Sequence, residues 1–293
     1  MRVSDSMRLD VMTQQMGTLS TQQMNASRVA STGLRVGAPS DDPVAAAQQA
    51  RVQASLDATD GYRTAIRNAR GDVDLSETTL ASATDVLQSA QDLAMQGANG
   101  SLSASDRADL AAQVAQLQDQ MLALANTKGT QGYLFGGTAS TTPPFDSAGN
   151  FTGNGNDRVV EVGAGVTSTV SVDGATAFTA AGGVDVFAQL SALQNALATN
   201  NVSVIQSSVG SIDTARRQVL AARVDAGTKL GRLDTADAAH QTGQTSLQTQ
   251  SHDLVDADPA AAYSQLMAAQ NAVEQGVAVA RSTLSILGIN RFG

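Results

Sequence analysis

Residues 258–287, DPAAAYSQLMAAQNAVEQGVAVARSTLSIL, are the stretch of the chain that decides its fold. The Asp258–Pro259 pair predicts a helix start, because Asp caps free amides and Pro is favoured at the first helical position. After this start, one set of residues recurs at intervals of three and four positions, which is the spacing of a coiled-coil seam. These residues are Tyr263, Leu266, Gln270, Val273, Val277, Ala280, Leu284 and Leu287. The stretch therefore predicts one long helix with an apolar stripe that needs a partner.

The beginning of the chain repeats this pattern. Steps of three and four again connect one stripe of residues, namely Leu9, Met12, Met16, Leu19, Gln23, Ala26 and Ala30. We predict that the two end helices pair with each other and then with copies from other subunits. The alternative is two ordinary core helices of one globule. Both stripes are poor in large apolar residues, so they can pack closely but bury little area, which favours assembly. The predicted assembly seam is Leu9, Met12, Met16, Leu19, Leu266, Val273, Val277, Leu284 and Leu287.

The composition suits long helices packed side by side. Only 3% of the 293 residues are aromatic and 15% are charged, and much of the 42% apolar content is Ala, which favours helix but adds little core. The net charge of −9 argues against nucleic acid as a partner. The absence of Cys excludes disulfides and CxxC metal sites. Since there is no run of eighteen apolar residues, we expect no membrane insertion, and the first residues, MRVSDSMRLDVMTQQ, do not resemble a cleavable signal peptide.

Breaks in the apolar pattern separate the helical parts of the chain. Residues 31–43, STGLRVGAPSDDP, predict a turn, because Pro39 ends one helix and Asp42–Pro43 begins the next. A long helix is then predicted from Val44 to about Gln96. Ser103 opens another helix with a capping-box pattern. Two such helices joined by a short loop are expected to be antiparallel neighbours.

The character of the sequence changes at Gly129. Residues 131–183 are rich in Gly, Thr and Asn and contain VVEV and VTSTVSV, whose alternation is typical of strands. Asp173–Gly174 is interpreted as a hairpin turn. A segment of this size can barely sustain its own core, so we expect it to lean on the helices. The helical pattern resumes near Val184.

The order of these elements predicts the fold class. It is mainly α with a small β insertion: a long antiparallel helical bundle, whose N- and C-terminal helices pair as a coiled coil, with a β-rich outer domain inserted in the middle. The expected regions are residues 1–40 and 255–293 for terminal assembly, 41–130 and 184–254 for the helical bundle, and 131–183 for the β-rich insertion.

The sequence predicts no chemistry. His240 and His252 are twelve residues apart and lie on different helix faces, so they cannot form an i,i+4 metal-ligand pair. Residues 146–157 resemble a calcium loop only faintly, because the closing Glu is missing, and a set of turns is the better interpretation. Neither a phosphate-binding glycine loop nor a GxSxG nucleophile motif is present. We therefore expect no catalytic residue, no cofactor-binding residue, no metal site and no enzyme activity.

Three stretches resemble a known family. They are Arg2-Val3-Ser4, Pro39-Ser40-Asp41-Asp42-Pro43 with the preceding Gly37-Ala38, and Gly132 with the following Tyr133-Leu134-Phe135-Gly136-Gly137. The order of elements is palindromic, with helices on both sides of a central β insertion. Together with this layout, the three stretches resemble the flagellar hook-associated protein 3 family, the hook–filament junction proteins of the flagellin superfamily. Flagellin shares the layout and is the nearest alternative, but this chain reads SDDPVAA where flagellins tend to read DDAAG. A secreted coiled-coil adhesin is a third and more distant alternative.

The resemblance implies a structural role in motility. It implies self-assembly into a ring or helical array, with the terminal helices forming the inner layer and residues 131–183 projecting outward. The implied neighbours are the first hook-associated protein and flagellin, with an export chaperone possible on the C-terminal helix. The implied location is extracellular, at the hook–filament junction, after type III flagellar export without a cleavable signal peptide.

Overall fold

The computed structural model describes residues 2–286 of the chain, with side chains for residues 6–285. Long helices dominate it, as the sequence predicts. They are α1 (Arg2–Thr32), α2 (Pro43–Gly97), α3 (Ala104–Ala125), α4 (Gly174–Phe178), α5 (Val186–Ala198), α6 (Val202–Val255) and α7 (Pro259–Ile286). The strands are short: β1 (Lys128–Gly129), β2 (Gly132–Tyr133), β3 (Val159–Gly163) and β4 (Val166–Thr169). The predicted fold class, mainly α with a small β insertion, is confirmed.

Side-chain caps define the starts of the long helices. The Asp42 carboxylate accepts hydrogen bonds from the amides of Val44 and Ala45 at the start of α2. Asp258 accepts one from the Ala260 amide at the start of α7. Ser103 and Asp106 form the predicted capping box of α3. These contacts satisfy amides that a helix cannot satisfy itself, which is why local sequence determines the helix starts.

The chain forms two compact units. Unit 1 consists of residues 1–57 and 243–293, and unit 2 consists of residues 58–242. The division falls inside α2 and α6, in segments where the helical pattern of the sequence is uninterrupted. Nothing in a continuous helical pattern marks such a boundary. The three-region division proposed from the sequence stays a prediction.

Unit 2 contains the main core. Its buried apolar side chains come from α2, α3, α5 and α6 together with the β-containing segment. Phe135, Phe145, Phe178 and Phe187 lie in this core with ring centroids 5.3–6.4 Å apart along successive pairs. These rings account for most of the chain's six phenylalanines. The β-containing segment therefore shares its core with the helices, as its small size requires.

The strands form two small antiparallel sheets. β1 pairs with β2, and β3 pairs with β4, with Val160 opposite Ser168 and Gly163 opposite Val166. The β3–β4 turn lies at Ala164–Gly165, where Gly165 has φ +70°. The prediction of a hairpin turn at Asp173–Gly174 is wrong. Asp173 instead caps α4, its carboxylate accepting from the amides of Ala175 and Thr176. Asp favours turns and helix N-caps for the same reason, so the dipeptide alone cannot separate them.

The arginines of α2 lie on a largely exposed face, and two of them form ion pairs. Arg67 and Arg70 are exposed, and Arg63 is half-buried. In unit 2, Arg63 Nε lies 2.9 Å from Asp237 Oδ1, and Arg70 Nε lies 2.7 Å from Asp234 Oδ1. Both acids belong to α6, so these ion pairs join the two long helices. Which helix would face α2 is a tertiary property that the α2 sequence does not contain.

Candidate assembly site

The paired chain ends form the candidate site in unit 1. The end of α1 meets the start of α7, because the Ala257 amide donates to Gly33 O at 2.8 Å and Leu34 pairs with Asp256 in an antiparallel bridge. The two helices then run antiparallel and pack along their length. Gly276 of α7 is the point of close approach. A Cβ there would lie 2.8 Å from Leu19 Cδ1 and 3.1 Å from Met16 Sδ.

The structure shows where each predicted seam residue lies. The seam residues described with side chains are half-buried along the α1–α7 pair: Leu9, Met12, Met16, Leu19, Leu266, Val273, Val277 and Leu284. Leu287 lies outside the described residues. Tyr263, which the stripe includes, is exposed, and Ala262 is buried in its place.

A second apolar face remains uncovered on the same pair. Met7 and Val11 on α1 and Val279 on α7 are 68%, 49% and 63% exposed, and they line one open groove with Met12. Exposed apolar residues clustered around a groove are typical of a protein–protein contact surface. Met7, Val11 and Val279 do not belong to the assembly seam predicted from the sequence. The sequence signal that could have identified them is a second apolar stripe beside the first, at positions 7, 11 and 279.

The Pro39–Pro43 motif forms the corner between α1 and α2. The Asp41 carboxylate accepts from the amides of Gly37 and Ala38 at 3.0 and 2.9 Å, and Arg28 Nη2 lies 3.0 Å from it. Pro39 and Ser40 are exposed at the tip of the corner. The two acidic residues of the motif therefore hold a turn in place rather than present free charge.

Hydrogen bonding makes both motif carboxyls more acidic. The amide of Gly37, then that of Ala38, and the charge of Arg28 lower the pKa of Asp41 below its ordinary 3.8. For Asp42, the amide of Ala45 is the largest influence that lowers the pKa, followed by its hydrogen bond with Arg35. Both carboxyls are thus charged at neutral pH, and the corner depends on that charge.

The corner also ties α1 to the end of α6 within unit 1. The amides of Arg35 and Val36 donate to Val255 O at 2.7 and 3.2 Å, and the Arg35 guanidinium donates to Leu254 O at 2.7 Å. These bonds close the unit across more than two hundred residues of sequence. Distant parts of the chain are therefore joined through backbone groups, which side-chain patterns do not reveal.

The second family motif lies inside unit 2. Leu134 and Phe135 are fully buried, and the Gly174 amide donates to Phe135 O. Gly137 has φ +65°, a conformation that favours glycine. A Cβ on Gly136 would lie 2.7 Å from Ala139 O. Tyr133-Leu134-Phe135-Gly136-Gly137 is therefore a core and turn element, and its side chains are not a contact surface.

The histidines have structural partners. His240 Nε2 lies 2.6 Å from Val162 O, and its ring stacks on Tyr62 at 5.5 Å. His252 Nδ1 lies 2.6 Å from Asp256 Oδ2. Among the described residues, no group of three or more His, Cys, Asp or Glu side chains is arranged to hold a metal ion. Within residues 2–286, no helix is both long and apolar enough to cross a membrane.

Comparison with known proteins agrees with this architecture. The sequence profile of the bacterial flagellin N-terminal helical region matches residues 3–140. Flagellar hook-associated protein 3 of Salmonella typhimurium is 31% identical over 286 residues, spanning 88% of this chain and 89% of the relative. The counterpart from Escherichia coli is 30% identical over 268 residues, spanning 83% and 84%. A solved Vibrio parahaemolyticus structure, assigned there as a flagellar hook-associated protein, superposes with TM-score 0.69 at 27% identity, covering 74% of this chain and all of that one.

Paired chain ends, with a helical and β-containing region between them in sequence, define a structural protein of the flagellin superfamily. The sequence identity to the two hook-associated relatives, and the share of each chain that is covered, identify a family within that superfamily. The chain belongs to the flagellar hook-associated protein 3 family, whose members are structural proteins of the flagellum and not enzymes.

Proposed function

We propose that this chain is the junction subunit between the flagellar hook and the filament, and that copies of it assemble through α1 and α7. Family membership supports the junction role. Assembly through α1 and α7 is supported by one observation: Met7, Val11 and Val279 form an uncovered apolar face on helices that are already paired. Pairing satisfies one face of each helix and leaves the other available for a neighbouring subunit.

The partners proposed for this chain follow from that role. They are further copies of itself in a ring or helical array, the first hook-associated protein on the hook side, and flagellin on the filament side. An export chaperone covering α7 before assembly is proposed as well, since an uncovered apolar helix needs protection. The flagellar location follows from the family, and type III export without a cleavable signal is the proposed route.

Substitutions on the exposed face test the assembly mode. Met7→Asp and Val279→Asp place a charge where a neighbouring subunit is expected to bury apolar surface. Burying that charge is far less favourable than leaving it in water. Expressed in cells that lack the gene, both should leave hooks without filaments and release flagellin into the medium. Electron microscopy and assay of secreted flagellin measure this outcome.

A matched control separates assembly from folding. Ser282 is exposed and polar on the same helix as Val279, so Ser282→Asp adds the same charge without removing an apolar contact. It should restore filaments. Circular dichroism of the purified Met7→Asp and Val279→Asp chains should match that of the unsubstituted chain. Normal filaments with both substitutions would rule out this face as the assembly surface.

The flagellin-type filament subunit is the second candidate, because the matched profile is that of the flagellin N-terminal region. A filament subunit polymerises by itself into long filaments, whereas a junction subunit does not. We expect the purified chain to form no long filaments under conditions that polymerise flagellin. Growth of long filaments from this chain alone would support the second candidate.

A further inference from the structure

Methionine is the main oxidisable side chain of this protein. The chain contains eight Met and neither Cys nor Trp. Met95 and Met121 lie in unit 2, and all the others belong to the terminal segments of unit 1: Met1, Met7, Met12, Met16, Met24 and Met267. Oxidising agents that reach this chain therefore meet sulfur chiefly in the helices that pair the two chain ends.

Met16 lies at the closest approach of those helices. Its Sδ occupies the space beside Gly276, where an added Cβ would lie 3.1 Å away. A further heavy atom between the sulfur and the α7 backbone would therefore displace the Met16 side chain or separate the two helices. Met16 is also half-buried rather than fully buried, so a small oxidant can reach it from solvent.

The oxidation itself is a two-electron oxygen transfer. The Met16 sulfur attacks one oxygen of hydrogen peroxide, the O–O bond breaks, an S–O bond forms, and water leaves after proton transfer. The thioether becomes a sulfoxide, which is polar and larger, and the peroxide is reduced to water. Methionine sulfoxide reductases reverse the change.

We propose that Met16 is an oxidation-sensitive site at which a peroxide-class oxidant unpairs α1 from α7 in the unassembled chain. A sulfoxide oxygen on the side that faces Gly276 crowds the α7 backbone, and in any orientation the sulfoxide places a polar group in an apolar seam. The seam has few large side chains to offset that loss. The inference depends on the α1–α7 pair alone, so it stands or fails separately from the junction role.

Hydrogen exchange on the full-length chain tests the proposal. The chain is treated with graded hydrogen peroxide, peptide mass spectrometry identifies each sulfoxide, and exchange is followed at the amides of Leu19 and Gly276. We expect exchange at both amides to accelerate by about tenfold or more as the Met16 sulfoxide accumulates, since a helix that has lost its partner opens its own hydrogen bonds more often. Treatment with methionine sulfoxide reductases and dithiothreitol should restore slow exchange.

Other methionines provide internal references. Met121 is fully buried in unit 2 and should stay a thioether, whereas the exposed Met24 should oxidise early. Met16→Leu keeps the size and apolar character of the side chain and should remove most of the peroxide effect. Met24→Leu should leave the effect intact. Met16→Gln, a polar mimic of the sulfoxide, should accelerate exchange without peroxide.

Three results would each overturn the proposal. One is full sulfoxide formation at Met16 with unchanged exchange at Leu19 and Gly276. Another is a Met16→Leu chain that responds to peroxide as strongly as the unsubstituted chain. The third is rapid exchange at both amides before any peroxide is added, because the pair would then not exist in the free chain. If a variant loses junction activity but none of these three results is seen, the proposed function is affected and the proposal about Met16 is not.

Discussion

At the scale of single residues, the clearest structural device is a buried arginine. Arg107 is 3% exposed, and its guanidinium donates to the carbonyls of Gly97, Leu102 and Asn99 and to Asn200 Oδ1, at 2.6–3.0 Å. It therefore joins the turn between α2 and α3 to the turn between α5 and α6. A buried charge with this many partners stabilises both turns, whereas a buried charge without partners would be unfavourable.

Arg107→Met should therefore destabilise unit 2. The substitution keeps an apolar stem but leaves carbonyls of the two turns without donors, at a cost of about 3 kcal/mol. Urea denaturation followed by circular dichroism measures the change. Arg217→Met, at a mostly exposed side chain, should change the free energy of unfolding by about 0.5 kcal/mol or less. Equal effects of the two substitutions would contradict the role given to Arg107.

Asp41 makes the α1–α2 corner sensitive to acid. Its pKa is lowered by folding, so its stabilising contribution is complete above the ordinary pKa of 3.8 and is lost as the pH falls through the lower folded value. We expect Asp41→Asn to lower the melting temperature at pH 6, and this difference to shrink towards pH 2.5. Thermal melts across that range test it, with Asp10→Asn on the solvent side of α1 as control. A difference that does not depend on pH would refute the assignment.

At the scale of elements, the pairing of α1 with α7 depends on small residues. Gly276 lets Met16 and Leu19 approach the α7 backbone, whereas Gly17 on α1 faces open space. Short side chains at such positions shorten the distance between helix axes. The composition that makes the stripe look weak in the sequence is thus what allows the two helices to pack closely.

A pair of identical substitutions tests this point. Gly276→Val should weaken the α1–α7 pair by about 1–3 kcal/mol through overpacking. Gly17→Val makes the same chemical change where there is room, and it should be neutral or slightly stabilising because Val has the better helix propensity. Hydrogen exchange at α1 amides distinguishes the two chains. Similar exchange rates would show that the helices do not approach closely at Gly276.

The β-containing segment cannot be treated as a removable element. Leu134, Phe135 and Phe178 belong to the same buried cluster as residues of α2 and α6. Deleting residues 135–182, as a search for an adhesin function would suggest, would expose that cluster. Replacing the exposed Val159 and Val166 of the hairpin with Thr is the milder way to examine this surface.

At the scale of the whole molecule, the two units have unequal cores. The buried apolar side chains described in unit 1 are Val36, Ala45, Val52, Leu56 and Ala262, whereas those of unit 2 include aromatic rings and many Leu and Ile. Stability from burial grows with apolar area removed from water. Unit 1 should accordingly open more readily in the free chain and gain stability when neighbouring subunits cover it.

Limited trypsin digestion should reveal this difference. In the monomer, cleavage after Arg8 and Arg281, both exposed in unit 1, should precede cleavage after Arg67 and Arg232, both exposed in unit 2. Mass spectrometry of a time course gives the order. Assembly with flagellar partners should protect Arg8 and Arg281. Simultaneous cleavage at all four sites would contradict the expected difference between the units.

Much of this architecture was predictable from local sequence, for identifiable reasons. Asp42–Pro43, Ser103 and Asp258–Pro259 begin helices through contacts with amides two or three residues away, so their effect is local. The three-four stripes of the chain ends and the change of composition at Gly129 also lie in continuous segments. The resemblance to the hook-associated family rested on motifs that are read in the same local way.

Other features required the folded chain. Asp173, which the sequence predicts in a hairpin turn, caps α4 instead, because the same residue type suits turns and helix caps. Arg63 pairs with an acid on α6, and Arg107 bonds to Asn200, which is distant in sequence. The exposed groove at Met7 and Val279 exists only where α1 meets α7.

The sequence by itself determined where helices begin, which stripes are apolar and which family the chain resembles, since these depend on neighbours within a few residues. The tertiary structure decided which helices face one another, which charges are paired and which apolar residues stay uncovered. Those properties depend chiefly on residues far apart in the sequence, such as Arg63 and Asp237, whose proximity no local pattern encodes.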